Sequence, residues 1–333
     1  MYISKTPCRI SLFGGGTDYE EFIKKSGESN ILSFTIDKFV YSVVKSNYDN
    51  SLIYKEKYRL NYYKSEVRSD INNIKNKIIK AILEKYDINN SYYISLFSDI
   101  ASGSGLGSSS AFIVNLIRIF DLIKNKKQTD EQIFKLALKI ERKSVNLFCG
   151  YQDQASASFG GFNHFIFNNN KLTVNNMSHR QDSLNKIIKN SFLIWTNRTR
   201  DSSHLLKEQK KNIKNKYSFF NNVNNLCKDA IKILNNKKFD INIFGKLLTE
   251  SYQEKKNYSK LILDKNIIKI EEEIKKFNPI GYKLLGAGGG GFVLCIMDKS
   301  NKVKFFDKNK KKLNFKIIDF NFYNKNSSVV KLI

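Results

Sequence analysis

A chain of 333 residues with 41% hydrophobic side chains can bury more than one core, and two domains is the better expectation. It contains no run of about 18 apolar residues, which excludes a membrane-spanning helix, and its four cysteines (Cys8, Cys149, Cys227, Cys295) form no C-x-x-C pair, which favours free thiols over a disulfide frame or zinc site. The net charge of +26 is carried by lysines spread through Asn/Lys/Ile-rich stretches such as 71–80 and 308–316, without the arginine-rich stripe and stacking aromatics of a polynucleotide-binding surface.

That excess charge reads mostly as solvated surface. Neither nucleic acid nor a membrane is expected as a partner, although a polynucleotide-binding protein is the alternative from another class, and it predicts strongly salt-dependent binding. Met1 to Lys5 lack the pattern of a secretory leader, so a cytoplasmic location is expected.

Residues 3–13 read as a strand that runs into Gly14-Gly15-Gly16-Thr17-Asp18. Three glycines remove side-chain bulk where the strand turns, so a ligand or a second backbone can approach closely. Thr17 and Asp18 are then short polar groups suited to sugar hydroxyls. Arg9 lies on an otherwise apolar strand and needs a carboxylate or phosphate partner. Residues 31–46 and 51–62 alternate as paired strands, and 71–87 carry helical spacing.

The apolar run Tyr92 to Phe97 is a further strand. It leads into Gly103-Ser104-Gly105-Leu106-Gly107-Ser108-Ser109-Ser110, which opens an apolar helix. Strand, glycine loop and helix start together make an anion site: inward-turned N–H groups with a positive dipole end behind them. A Walker A loop is excluded because Ser108, not lysine, follows Gly107. The spacing of Gly103, Gly105 and Gly107 also fails the dinucleotide fingerprint.

A helix over 129–145 begins at Thr129 with Gln132 placed for a capping box, and it carries Glu141 near its end. Gly150 to Gln154 then hold Asp153 between two glutamines. A lone carboxylate kept beside a cation stays ionised and aimed, as a base requires. From about residue 164 the texture becomes Asn/Lys-rich, with a buried strand at 191–195, helices near 202–216, 219–236, 241–257 and 265–277, and a strand–glycine loop–strand at 281–296. A strand, not a helix, follows Gly286 to Gly291, so their dinucleotide-like spacing fails its context. The boundary is placed between domains 1–170 and 171–333, near the change of texture.

Arg9 to Tyr19, Gly103 to Ala111, Glu141 with Gly150 to Gln154, and Gly286 to Gly291 occur in one order over nearly the whole chain. On those residues the chain resembles the galactokinase, homoserine kinase, mevalonate kinase and phosphomevalonate kinase (GHMP) superfamily, with Ala101 where the family usually has proline. The variants Phe13-Gly-Gly-Gly-Thr-Asp18, Gly150-Tyr-Gln-Asp-Gln154 and Arg198-Thr-Arg-Asp-Ser202 look like the superfamily's kinases of heptose 7-phosphate, with L-fucokinase domains as near relatives.

The resemblance implies a two-domain α+β fold, the N-terminal half like domain 2 of ribosomal protein S5 and the C-terminal half ferredoxin-like. It implies an ATP-dependent sugar 1-kinase using Mg²⁺, with ATP phosphates on Gly103 to Ser110 and Ser109 and Glu141 on the metal. Asp153 would act on the acceptor hydroxyl with Arg9 beside it. Gly15, Gly16, Thr17, Asp18, Gln152, Gly288 and Gly289 would lie against the sugar, and Arg198, Arg200 and Lys5 would be candidates for its phosphate. A homodimer is compatible with the resemblance.

Overall fold

The computed structural model describes residues 1–46, 56–88, 90–145, 148–169, 171–199 and 202–332, without the side chains of Ser202 and Ser203. In chain order its first half contains β1 (Tyr2–Phe13), α1 (Glu20–Ser26), β2 (Glu28–Ser46), β3 (Tyr58–Asn61), β4 (Ser65–Arg68), α2 (Lys77–Lys85), β5 (Tyr92–Ser98), α3 (Ser108–Ile123), α4 (Asp130–Lys139), α5 (Gln152–Phe159), β6 (Phe162–Asn168) and β7 (Leu172–Asn176). The rest contains α6 (Gln181–Lys189), β8 (Ser191–Trp195), α7 (Ser202–Asn212), α8 (Tyr217–Asn235), α9 (Ile241–Lys256), α10 (Lys265–Lys275), β9 (Gly281–Leu284), β10 (Phe292–Ile296), α11 (Lys299–Lys308), β11 (Ile317–Ile318) and β12 (Ser328–Lys331).

Two sheets organise these elements. The larger runs β12-β1-β2-β5-β3-β4, with β6 and β7 added at the far end of β2; the smaller is antiparallel, in the order β11-β8-β10-β9. The expected 170/171 boundary does not follow sheet membership. β7 pairs with β6, and β12 returns from the far end of the chain to pair with β1. An edge strand is completed by whichever segment supplies backbone partners, and the short β12 carries no sequence mark of where it belongs.

The β1–β2 ladder shifts register between Pro7 and Arg9, and again between Ser11 and Phe13. Proline has no N–H to give to a ladder. Beyond the first shift the Arg9 N–H donates to the Leu106 carbonyl at 3.0 Å instead, so the sheet itself grips the glycine loop. Irregularities of this kind re-aim side chains beside functional sites.

α3 is almost wholly apolar on the faces it buries, with Ile113, Val114, Leu116, Ile117, Ile119 and Phe120 inside. Its buried Asn115 is satisfied: Oδ1 accepts from Ser4 and Thr6 of β1, and Nδ2 donates to the Val40 carbonyl of β2. α4 starts at the expected capping box, in which Thr129 and Gln132 exchange hydrogen bonds. The expected helix over 71–87 breaks instead. A short 3₁₀ turn at Ile71–Asn73 is capped by Asp70, Ile74 is extended, and α2 restarts under the Asn76 cap. Asp and Asn side chains compete for the backbone there, as short polar residues do. Of the strand expected over 51–62, residues 51–55 lie outside those described, and Tyr58–Asn61 forms β3.

On β6, His164 lies opposite Leu32 and is buried, with Nε2 2.9 Å from Asn30 Oδ1. Burial lowers its pKa from 6.5 to about 4, against a smaller opposing effect of Glu28. The unfolded chain therefore takes a proton that the native state refuses between those two values. His164 supports stability fully above pH 6.5 and withdraws that support as pH falls toward 4, at a cost of about 2 kcal/mol by pH 5. Thermal unfolding of wild type and His164→Gln at about pH 7.5 and about pH 5 should show a larger acid loss of Tm in wild type. Equal losses would exclude His164 as the titrating group.

Candidate active site

The glycine loop and α3 begin the site. Gly107, the residue before α3, is left-handed at φ +79°, and a Cβ there would meet the Arg9 side chain at 3.3 Å. Gly105 is also left-handed, and a Cβ on it would lie 2.8 Å from the Leu285 carbonyl oxygen of the smaller sheet's glycine loop. Phe292, first residue of β10, donates its N–H to the Ser104 carbonyl at 3.2 Å. The loop is thus clamped between β1 and the second sheet, and no side chain other than hydrogen fits where the clamp closes.

Arg9 projects from β1 into this junction. Its Nη2 and Nε donate to Asp153 Oδ1 at 2.6 and 3.0 Å, and Nη1 donates to the Gly105 carbonyl at 2.5 Å. The Arg9 side chain is 4% exposed and that of Asp153 33% exposed, so the guanidinium is buried while the carboxylate faces the cleft. Asp153 sits in the first turn of α5, and Asp18 holds the start of that helix. Asp18 is fully buried: Oδ2 accepts from the Tyr151 and Gln152 N–H groups at 2.8 and 2.9 Å, and Oδ1 accepts from Gly16 N–H at 3.2 Å. Burial raises its proton affinity, and the backbone donors partly oppose that.

Glu141 reaches the same cleft from a π-turn over Ile140–Ser144, where the helix expected over 129–145 widens. Such wide turns often mark functional positions, since they rotate one side chain off the regular face. Glu141 Oε2 accepts from the Ser110 hydroxyl at 2.8 Å and from Gln154 Nε2 at 2.6 Å. Burial pushes its pKa up to about 7, against the two hydrogen bonds, and the charge of Asp153 adds to the rise.

One cleft is lined by Arg9, Gly103, Gly105, Gly107, Ser108, Ser109, Ser110, Glu141, Gln152 and Asp153, together with Gly16 and Asp18. Several expected positions are corrected. Ser104 and Leu106 are fully buried, so of the loop's eight residues these two face inward. The hydroxyl on Glu141 is that of Ser110; Ser109 is exposed one step round the helix and lines the cleft without touching that carboxylate. Thr17 is beneath the turn, not at its rim: its hydroxyl donates to the Gly14 carbonyl and pairs with Ser29.

Gly15 is buried and does not line the cleft; a Cβ on it would touch the Ser11 hydroxyl at 3.4 Å and the Gln152 amide and Lys255 ammonium at 3.7 Å. Gly288 packs on Ile262 and Gly289 donates to the Ile262 carbonyl, while Gly286 and Ala287 are the residues of that loop at the cleft. Arg198 pairs with Asp264 at 3.0 Å, and the Lys5 ammonium lies over the Phe39 ring, 4.8 Å from its centroid; neither lines the cleft. Arg200 is outside the described residues.

Among the cleft residues that had not been expected are Gln209 and Lys255. Gln209 of α7 is buried and donates to the Ala287 carbonyl at 2.6 Å. Lys255 of α9 is 4% exposed and donates to the Gly286 carbonyl at 2.5 Å. Its signal was present in outline, because Leu248, Tyr252 and Lys255 fall on one helical stripe and a lysine on an apolar stripe is anomalous.

Residues 72–161 match the family described as GHMP kinases N terminal domain, and residues 230–314 match GHMP kinases C terminal. The chain belongs to the GHMP kinases. Members of this family are phosphotransferases with an alcohol acceptor, and ATP is their phosphoryl donor. At 28% identity over 96% of both chains it is similar to D-glycero-alpha-D-manno-heptose 7-phosphate kinase of Campylobacter jejuni. At 23% identity, over 76% of this chain and 61% of the other, it is similar to galactokinase of Fusobacterium nucleatum.

The fold superposes on a D-glycero-D-manno-heptose 1-phosphate kinase from Bacteroides thetaiotaomicron with a TM-score of 0.79, at 22% identity over 100% of both chains. The two-domain α+β architecture is thus that of the GHMP kinases. No helix among the described residues is long and apolar enough to cross a membrane.

Because Asp18 satisfies three backbone donors that have no other acceptor at that place, Asp18→Ala should cost about 2–3 kcal/mol. It should also release the start of α5, so that Tm and kcat fall together. A variant with wild-type Tm and turnover would show that α5 does not depend on this carboxylate.

Proposed function

We propose that the chain transfers the γ-phosphoryl group of ATP to the anomeric hydroxyl of D-glycero-D-manno-heptose 7-phosphate, giving the 1,7-bisphosphate. The observation that carries this reading is the half-exposed Asp153 carboxylate, bridged to the glycine loop by the buried Arg9. The likeness to heptose phosphate kinases supports the sugar.

Phosphoryl transfer needs alignment and charge neutralisation more than covalent help. In this reading the N–H groups of the loop and of the first turn of α3 hold the donor's phosphates, and Asp153 orients the acceptor hydroxyl and takes its proton. Arg9 binds one oxygen of Asp153. It directs that carboxylate at the acceptor, and it adds positive charge where charge builds on the transferring group. Gly16 and Gln152 form the wall against the sugar.

The donor set also fits Mg²⁺, a hard cation that takes one or two carboxylates and leaves its other places to phosphates and water. Glu141 with the Ser110 and Ser109 hydroxyls would hold it, and when bound it neutralises phosphate charge. Among the described residues no cluster of three or more His, Cys, Asp or Glu side chains stands ready to cage an ion by itself.

Coupled ADP release with D-glycero-D-manno-heptose 7-phosphate, fucose, galactose and mevalonate in parallel tests the assignment, and turnover should be greatest with the heptose phosphate. A preference for any other acceptor would overturn it. Asp153→Asn should lower kcat about a hundredfold or more while the Kd for ATP stays near wild type. Wild-type turnover in that variant would remove Asp153 from the reaction.

A further inference from the structure

A phosphorylated acceptor brings its own negative charge into the cleft, apart from the nucleotide's. The residues expected to meet it do not line the cleft: Arg198 is committed to Asp264, and Lys5 lies over Phe39. Lys255 does line it. Its neighbour Lys256 turns the other way, to Glu271 at 2.6 Å.

The point where a side chain on Gly15 would begin is 3.7 Å from the Lys255 ammonium and 3.7 Å from the Gln152 amide nitrogen. Gln152 precedes Asp153 and is fixed through Ser11, whose hydroxyl donates to its Oε1 at 2.8 Å. Gln152 and Lys255 both line the cleft that Asp153 faces, so a ligand whose reacting hydroxyl meets Asp153 lies in the same cleft as the Lys255 ammonium.

A second lysine lies deeper at the same place and does not line the cleft. Lys283 of β9 is fully buried and donates to the Leu12 carbonyl at 2.5 Å. Burial holds its ammonium well below the usual lysine range, with Lys255 and then Arg9 among the neighbours that add to the effect.

We propose that Lys255 receives the phosphate of a phosphorylated acceptor and so sets the preference for a sugar phosphate over the free sugar. The proposal rests on the reading of the chain as a sugar phosphate kinase. The ammonium, oriented by the Gly286 carbonyl, donates to the anionic oxygens; a thioether of similar length cannot.

The test compares kcat/KM for D-glycero-D-manno-heptose 7-phosphate with that for D-glycero-D-manno-heptose, in wild type, Lys255→Met and Lys255→Arg. This ratio is insensitive to the fraction of enzyme that is folded. Lys255→Met should shrink the wild-type preference for the phosphorylated sugar by about 10- to 100-fold, chiefly through KM for that sugar, and Lys255→Arg should restore most of it. An unchanged ratio in Lys255→Met, or a loss that appears as a raised KM for ATP, would overturn the proposal, the latter assigning Lys255 to the nucleotide. A wild type active on the free heptose alone would also overturn it. A wild type active on neither heptose would reject the functional reading itself, whereas activity on the heptose phosphate with an unmoved ratio would reject only the role of Lys255.

Discussion

The buried guanidinium of Arg9 is the constraint on which the site depends. Taking a charge out of water is costly unless its donors are satisfied, and removing one partner of a buried pair costs about 3–5 kcal/mol because the other is left uncompensated. Arg9 meets that demand with acceptors from two places distant in sequence: the Asp153 carboxylate on α5 and the Gly105 carbonyl in the glycine loop. Its backbone N–H adds a bond to the Leu106 carbonyl. The fork is planar and always charged, so these bonds fix direction as well as distance. Loop and carboxylate are therefore held to one another through a single side chain, and a lysine could not span both with the same geometry.

The second dependence is backbone against backbone. The loop carbonyl of Ser104 accepts from Phe292, and the loop's underside at Gly105 touches Leu285 and Gly286. The phosphate loop of the first sheet is thus seated on the glycine loop of the second, at contacts too close for a Cβ on either side. A Cβ on Gly291 would lie 2.3 Å from the Ser104 carbonyl oxygen. Glycines that look redundant as ligand contacts therefore serve first to let two domains meet. Gly288 and Gly289, expected against the sugar, instead pack within their own half of the chain, on Ile262. The cleft is completed by Gly286 and Ala287, at the end of the loop nearest Lys255.

The parts of this arrangement that were legible in the sequence are those with a local cause. Glycine spacing, the Thr129 capping box and the apolar stripe of α3 each follow from neighbours within a few residues, and each is found where the sequence puts it. What was not legible depends on rotation or on return of the chain. Ser109 and Ser110 are equivalent in composition, and only the helical turn decides that Ser110 meets Glu141. The π-turn that aims Glu141 has no short-range signature. Asp18 looks like a sugar ligand because it ends a glycine turn, but the fold spends it on the N–H groups of Gly16, Tyr151 and Gln152. β12 reaches β1 only after some 300 residues of intervening chain, a contact no local pattern encodes.

The net charge illustrates the same division between composition and position. A surplus of +26 suggests an anionic partner for the whole molecule. Most of it, however, is exposed lysine whose field is screened within about 8 Å at physiological salt and whose ion pairs are worth little. Lys24 with Glu20 and Lys135 with Glu131 are pairs of that kind. Three basic residues are different in kind. Arg9, Lys255 and Lys283 are 2–4% exposed and lie at the junction of the two sheets, where water does not screen them. They are a small fraction of the chain's basic residues; Arg9 and Lys255 line the cleft, and Lys283, which does not, is held toward its neutral form. In the proposed reading, anion recognition follows from which few basic residues the fold dehydrates rather than from the surface excess.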